Sequence, residues 1–96
     1  MNFGKALEAL KHGHKVARHG WNGKGMFIYL VNKQKIHMSN LRNEAQVALD
    51  STSESNRGKD IRIGAHIDMK AADGSIVVGW LASQTDMLAE DWEVVK

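Results

Sequence analysis

The chain lacks cysteine and proline altogether, and its 96 residues contain no run of 18 apolar positions. Without cysteine there is neither a disulfide to staple a small domain nor a thiolate to hold a metal, so packing has to supply nearly all of the stability. Without a long apolar run there is no membrane-spanning helix. The first residues carry Lys5, Glu8 and Lys11 where a secretory signal would have an apolar core, so a cytoplasmic protein is expected. A basic tract able to grip a long phosphate backbone is also missing. Neither polymeric nucleic acid nor a membrane is therefore an expected partner.

Charge is present but unevenly spread. Residues 1–50 hold eight Lys or Arg against three acids, whereas residues 51–96 hold five against eight. Such a split suits a phosphate-bearing ligand, docking of two copies, or simply two solvated surfaces. The length fits a single domain over 1–96.

Periodicity points to an α+β fold, a small antiparallel sheet with an N-terminal helix and a second short helix before the last strand. Phe3, Ala6, Leu7 and Leu10 form one helical stripe over 3–12, with Asn2 as the N-cap and His12-Gly13 as the stop. A short strand is expected over 14–19, then a loop over 20–25 rich in glycine, then a well-covered strand over 26–31. A turn at 32–35 leads into an edge strand over 36–38. Residues 39–60 show neither period, and 50–60, serine-rich and without an apolar side chain, read as an exposed loop. From Ile61 to Met69 apolar residues alternate with polar ones, as in a half-buried strand. Asp73-Gly74 then turns the chain into a returning strand over 75–80. A helix over 83–91 opens on Ser83 and Asp86, three apart as in a capping box, and would place Leu88 and Trp92 on the core side. The last strand covers 93–96.

Catalytic chemistry is hard to find in this pattern. No serine sits in a nucleophile elbow, and several fall in 51–55, where positioning would be poor. His12 and His14 are two apart, a spacing without a defined metal face, and His-Glu-x-x-His is absent. Asp73 reads as a turn former and Asp86 as a helix-start residue, which leaves no acid–base pair. Asp91 would fall at the unfavourable end of the second helix. What remains suits binding. Trp21 stands among glycines beside Asn22 and Lys24, where an indole can stack on a base and loop amides can cradle phosphate, or where it can simply fill the core. Trp92 reads as core.

Two ordered blocks carry a resemblance. Phe3-Gly4-Lys5-Ala6-Leu7-Glu8 with Val16-Ala17-Arg18-His19-Gly20-Trp21-Asn22-Gly23-Lys24-Gly25-Met26-Phe27 forms the first. Asp68-Met69-Lys70-Ala71-Ala72-Asp73-Gly74-Ser75-Ile76-Val77, continuing through 79–89 to Asp91-Trp92, forms the second. Both resemble the Thoeris anti-defence 2 family of small phage and bacterial proteins, while 32–60 departs from its pattern. The resemblance implies a non-enzymatic homo-oligomer, dimer or tetramer, acting in the bacterial cytoplasm without a cofactor. It would hold a cyclic ADP-ribose-type signal unchanged, and small cyclic oligonucleotides in some members, so that the host's immune effector stays silent. A structural or protein-interaction module without a nucleotide is the competing expectation. On this resemblance Trp21 and Trp80 would pack on base or ribose. Asn22, Ser83, Thr85 and Asp86 would bond ribose hydroxyls or base edges, and Arg18 and Lys24 would neutralise phosphate.

Overall fold

The computed structural model describes residues 1–50 and 53–96. Contacts within the chain gather into two compact units, Met1–Val31 with His66–Lys96, and Asn32–Ala65.

The first unit is a five-stranded antiparallel sheet with helix α1, Phe3–Lys11, on one face. Its strands are β1 (Lys15–Arg18), β2 (Phe27–Val31), β5 (His66–Lys70), β6 (Ile76–Val77) and β7 (Trp92–Val95), in the spatial order β6-β5-β2-β1-β7. The expected fold class is the one observed. Asn2 caps α1, its side-chain oxygen accepting the Lys5 amide at 2.9 Å, and Gly13, at φ +88°, carries the chain past the helix end.

Register decides the core. Val16 lies opposite Ile28, and Ile28 opposite Met69, so one row of side chains crosses three strands on a single face. Ala6 and Leu10 of α1 close over that row together with Trp92. Burying Leu10, Val16 and Ile28 contributes about 1.5–3 kcal/mol each. Arg18, two residues beyond Val16, shares this face and pairs in register with Trp92. The opposite face has Lys15, Phe27 and Lys70, and both ammonium groups sit over the Phe27 ring, at 4.7 and 5.6 Å.

The Asp73-Gly74 turn forms as expected, with Ala71 donating to Ser75 and Gly74 to Ala71. The returning strand is shorter than its apolar run. Pairing of β6 with β5 stops at Val77, and Gly79, at φ +79°, redirects the chain so that its amide reaches Asp68 Oδ1 at 3.0 Å. The Trp80 amide then meets the Ile67 carbonyl at 2.7 Å. Helix α3 covers only Gln84–Met87 instead of 83–91, and Leu88 points into solvent at 78% exposure while Trp92 is buried at 2%. A single turn cannot carry a stripe. The chain leaves the helix at Leu88 and enters β7 at Trp92, so only the tryptophan faces inward.

The second unit contains β3 (Gln34–His37) and β4 (Asp60–Ile63), paired antiparallel, a 3-10 turn at Met38–Asn40, and helix α2, Asn43–Ala48. The expected edge strand thus begins two residues early and pairs with β4. The single strand expected from Ile61 to Met69 is two strands, β4 and β5, separated by Gly64 and Ala65. β4 alternates exposed with half-buried residues, whereas in β5 both Asp68 and Met69 are buried, so the apolar alternation of the sequence runs on through the point where the pairing partner changes. Met38 and Leu41 are the buried apolar residues here. Of the exposed loop expected over 50–60, Ser51 and Thr52 lie outside the described residues, residues 53–59 form turns, and Asp60 already belongs to β4.

Candidate functional site

The eight candidate residues lie in the first unit, on the segments that enter and leave its helix-covered sheet face. Arg18 ends β1, and the 20–25 loop that follows holds Trp21, Asn22 and Lys24. Trp80 follows β6. Ser83 caps α3, and Thr85 and Asp86 are within it.

Asp86 is the hub. Its Oδ1 accepts from Arg18 Nη1 at 2.9 Å and from Trp21 Nε1 at 3.2 Å, and its Oδ2 accepts the Ser83 amide at 3.2 Å. The Asp86 amide in turn donates to Ser83 Oγ at 3.0 Å, completing the reciprocal capping box. The Asp86 carbonyl accepts Trp92 Nε1 at 2.9 Å. Three groups inferred from separate parts of the chain thus meet on one buried carboxylate. Its burial would push the Asp86 carboxyl up, but donation from Arg18, Trp21 and Ser83 outweighs this and holds it below the ordinary value.

Arg18 is shared. Its Nε donates to Asp91 Oδ1 at 2.9 Å, and the second Asp91 oxygen accepts the Gly20 amide at 2.7 Å. Hydrogen bonding to Asp91 first, and to Asp86 second, raises the guanidinium pKa. Donation by Arg18 holds the Asp91 carboxyl low. The sequence reading missed Asp91. It places no charge uselessly at a helix end, because α3 has already stopped; it fixes the start of the glycine loop. A Cβ on Gly20 would come within 2.7 Å of Asp91 Oδ2, so this bond needs the bare backbone. Arg18 and Asp91 are joined only through the β1–β7 pairing, and pairing the terminal strands first is the signal that could have found them.

The tryptophans form one cluster. Trp21 meets Trp92 edge-on at 5.3 Å and Trp80 at 6.3 Å, and Trp80 meets Trp92 at 6.2 Å. Trp92 is the buried floor. Trp21 and Trp80 are half-buried, each packed against the core yet retaining accessible surface. Both readings of Trp21, core and platform, therefore describe part of the same side chain. Asn22, Lys24, Ser83 and Thr85 are exposed around this cluster's segments, and the side chains of Asn22, Lys24 and Thr85 make no hydrogen bond or ion pair among the described residues.

Chemically the arrangement offers indole surface, exposed amide, hydroxyl and ammonium groups, and a carboxylate whose lone pairs already face protein donors. Arg18 and Asp86 neutralise each other, which leaves Lys24 as the unmatched cation of the eight. Two surface hollows, of about 580 and 570 Å³, are lined by other residues: one lies over Phe27 and Tyr29 on the sheet's far face, the other beside β3 and β4. Among the described residues no three His, Cys, Asp or Glu gather so as to hold a metal ion, and no helix is long and apolar enough to cross a membrane.

Comparison with known proteins supplies the remaining constraint. Residues 1–95 match the model of a family described as the Thoeris anti-defense 2-like domain. Thoeris anti-defense 2 of Bacillus phage SP01 is 42% identical over 98 aligned residues, covering 99% of this chain and 94% of that protein. The match runs through 32–60 as well.

Proposed function

The chain belongs to the Thoeris anti-defence 2 family, and from that premise we propose that it binds and sequesters a cyclic ADP-ribose-type signalling nucleotide, so blocking host anti-phage defence. The observation that carries this reading is the pair Trp21 and Trp80, half-exposed over the buried Trp92, with Trp21 fixed by Asp86 and Trp80 packed edge-on against both other rings. A rigid indole gives a base a stacking surface with little ordering cost, and the neighbouring exposed groups of Asn22, Lys24, Ser83 and Thr85 offer polar partners to ribose and phosphate. Asp86 serves chiefly by fixing Trp21 and Ser83, and Arg18 by pairing with Asp86 and Asp91.

The mechanism is occupancy. No bond in the nucleotide is broken, no cofactor takes part, and the effect depends on a dissociation constant at or below the signal concentration in the bacterial cytoplasm. A multiply charged ligand on an open surface stays largely hydrated, so tight binding calls for enclosure. A second copy of the chain supplies it. Val78, Leu81 and Leu88 are 72%, 89% and 78% exposed on the segments flanking Trp80 and α3, apolar surface that an oligomer would cover.

The test is chemical recovery. Protein is incubated with cyclic ADP-ribose isomers, separated from free ligand and denatured. Intact nucleotide at the amount bound is the expected result. Hydrolysed product would make the chain an enzyme, and failure to bind any isomer would turn the reading to a protein-interaction module, for which the same exposed apolar residues would be the contact.

A further inference from the structure

Beyond Arg18 and Lys24, the N-terminal half's excess of positive charge finds no use in the tryptophan site, and Lys33 and Lys35 carry part of it on the second unit. In the β3–β4 pair Lys35 lies directly opposite Arg62. Residues in register share a face, with Cβ atoms about 4.5–5.5 Å apart, and like charges so placed repel each other. Lys33, two residues before Lys35, extends the cluster toward Gly64. All three cations line one hollow of about 570 Å³, with Gln34, Ile63 and Gly64 completing its wall.

Among the described residues no carboxylate forms an ion pair with them. The ion pairs among the described residues involve Arg18, Asp86, Asp91, His66 and Asp68, none of which belongs to this pair of strands. Asp60 is on the same face but opposite His37, two register pairs beyond Lys35 and Arg62 on the side away from Lys33, and makes no ion pair with Lys35 or Arg62. A two-stranded sheet is marginal by itself, and a repulsive pair at its middle weakens it further. An anion spanning the two strands would reverse the sign of that interaction.

We propose that Lys33, Lys35 and Arg62 form an anion site for a ligand with two adjacent phosphate groups, such as inorganic pyrophosphate or the diphosphate of a nucleotide. The site goes beyond the nucleotide trap described above and shares no residue with it. Arg62 supplies a planar fork matched to two phosphate oxygens, and the lysines act as mobile point charges on the remainder. A single phosphate can reach both strands, but its charge of about −1.5 to −2 leaves part of three cations unmatched, so the greater charge of a diphosphate is the discriminating feature.

Calorimetric titration of the whole protein with pyrophosphate, ADP, orthophosphate and AMP tests this. Pyrophosphate and ADP bind, orthophosphate and AMP bind about tenfold or more weakly, and affinity falls as salt rises. Lys35→Gln and Arg62→Gln each weaken pyrophosphate binding about tenfold, while Trp21→Ala leaves it unchanged, so that this site and the nucleotide trap succeed or fail separately. Lys35→Glu is the sharper arm. It abolishes pyrophosphate binding yet raises the melting temperature, because it replaces a repulsive cross-strand pair by an attractive one. The proposal is overturned if pyrophosphate fails to bind at millimolar concentration, if ADP binds without pyrophosphate, or if Lys35→Glu leaves binding intact.

Discussion

Trp21 and Arg18 donate to the same oxygen of Asp86, at 3.2 and 2.9 Å. The side chain offered as a stacking surface and the side chain offered as a phosphate partner are therefore coupled through one carboxylate. Asp86→Ala should release both and leave the guanidinium with Asp91 alone. Loss of a carboxylate paired in a largely buried site costs about 3 kcal/mol. A urea-denaturation midpoint near that of the native protein would show the hub to be dispensable.

The acid limb of stability follows from the same group. Asp86 and Asp91 both lie below the ordinary aspartate value of 3.8 in the folded chain. The unfolded chain thus binds more protons in acid, and the stability these groups contribute is complete above about pH 4 and lost as the pH falls through their depressed folded values. Arg18, its pKa raised by hydrogen bonding to Asp91 and Asp86, stays charged and contributes constantly across this window. Denaturation midpoints should be level from neutrality to about pH 5 and fall below pH 4. In Asp86→Asn the fall should be shallower, which titration by circular dichroism would measure.

Gly20 tests the loop anchor. Gly20→Ala forces a methyl against Asp91 Oδ2 and should cost about 1–3 kcal/mol by thermal denaturation. The same change at Gly13, already at φ +88° with nothing within 4 Å of the added Cβ, would be strained by backbone conformation alone. Equal tolerance at Gly20 and at an ordinary surface position would remove the anchor from the account.

Separating the roles of Trp21 and Trp80 takes two variants. Trp21→Phe keeps a ring but loses the bond to Asp86, so it should destabilise by about 1 kcal/mol. Trp80→Ala should weaken nucleotide binding more than it weakens the fold, since among the described residues Trp80, unlike Trp21 and Trp92, donates no side-chain hydrogen bond. Calorimetry on both, beside their melting curves, would expose the opposite pattern if Trp80 served only as core.

Leu81 and Leu88 probe assembly. Replacing both by lysine should change monomer stability by no more than about 0.5 kcal/mol, as exposed positions do. Light scattering should show a lower mass if a second copy covers them. An unchanged mass would locate the contact elsewhere.

What could be read beforehand was local. The Asp73-Gly74 turn, the Asn2 cap and the Ser83–Asp86 box each depend on residues two to four apart, and all three are present. Leu88 misled because a one-turn helix and a full one begin identically. The unbroken alternation from Ile61 to Met69 concealed a change of partner, since period two records only which face is covered and not by what. Arg18 with Asp91, seventy-three residues apart, is set by strand pairing, which no window of sequence contains. Residues that the resemblance assigned to a ligand turned out to include one ion-paired hub and several exposed arms. Their sequence neighbourhoods are alike in that respect, and only burial separates them.

Trp21, Trp80 and Trp92 are 5.3–6.3 Å apart, ring to ring. At such separations three indoles do not behave as independent chromophores. Their excited states mix and exchange energy faster than they emit, so the near-ultraviolet spectrum belongs to the trio. A molecule settling on the two outer rings would perturb the signal of the buried one as well, and unlabelled protein in a cuvette would announce its own occupancy.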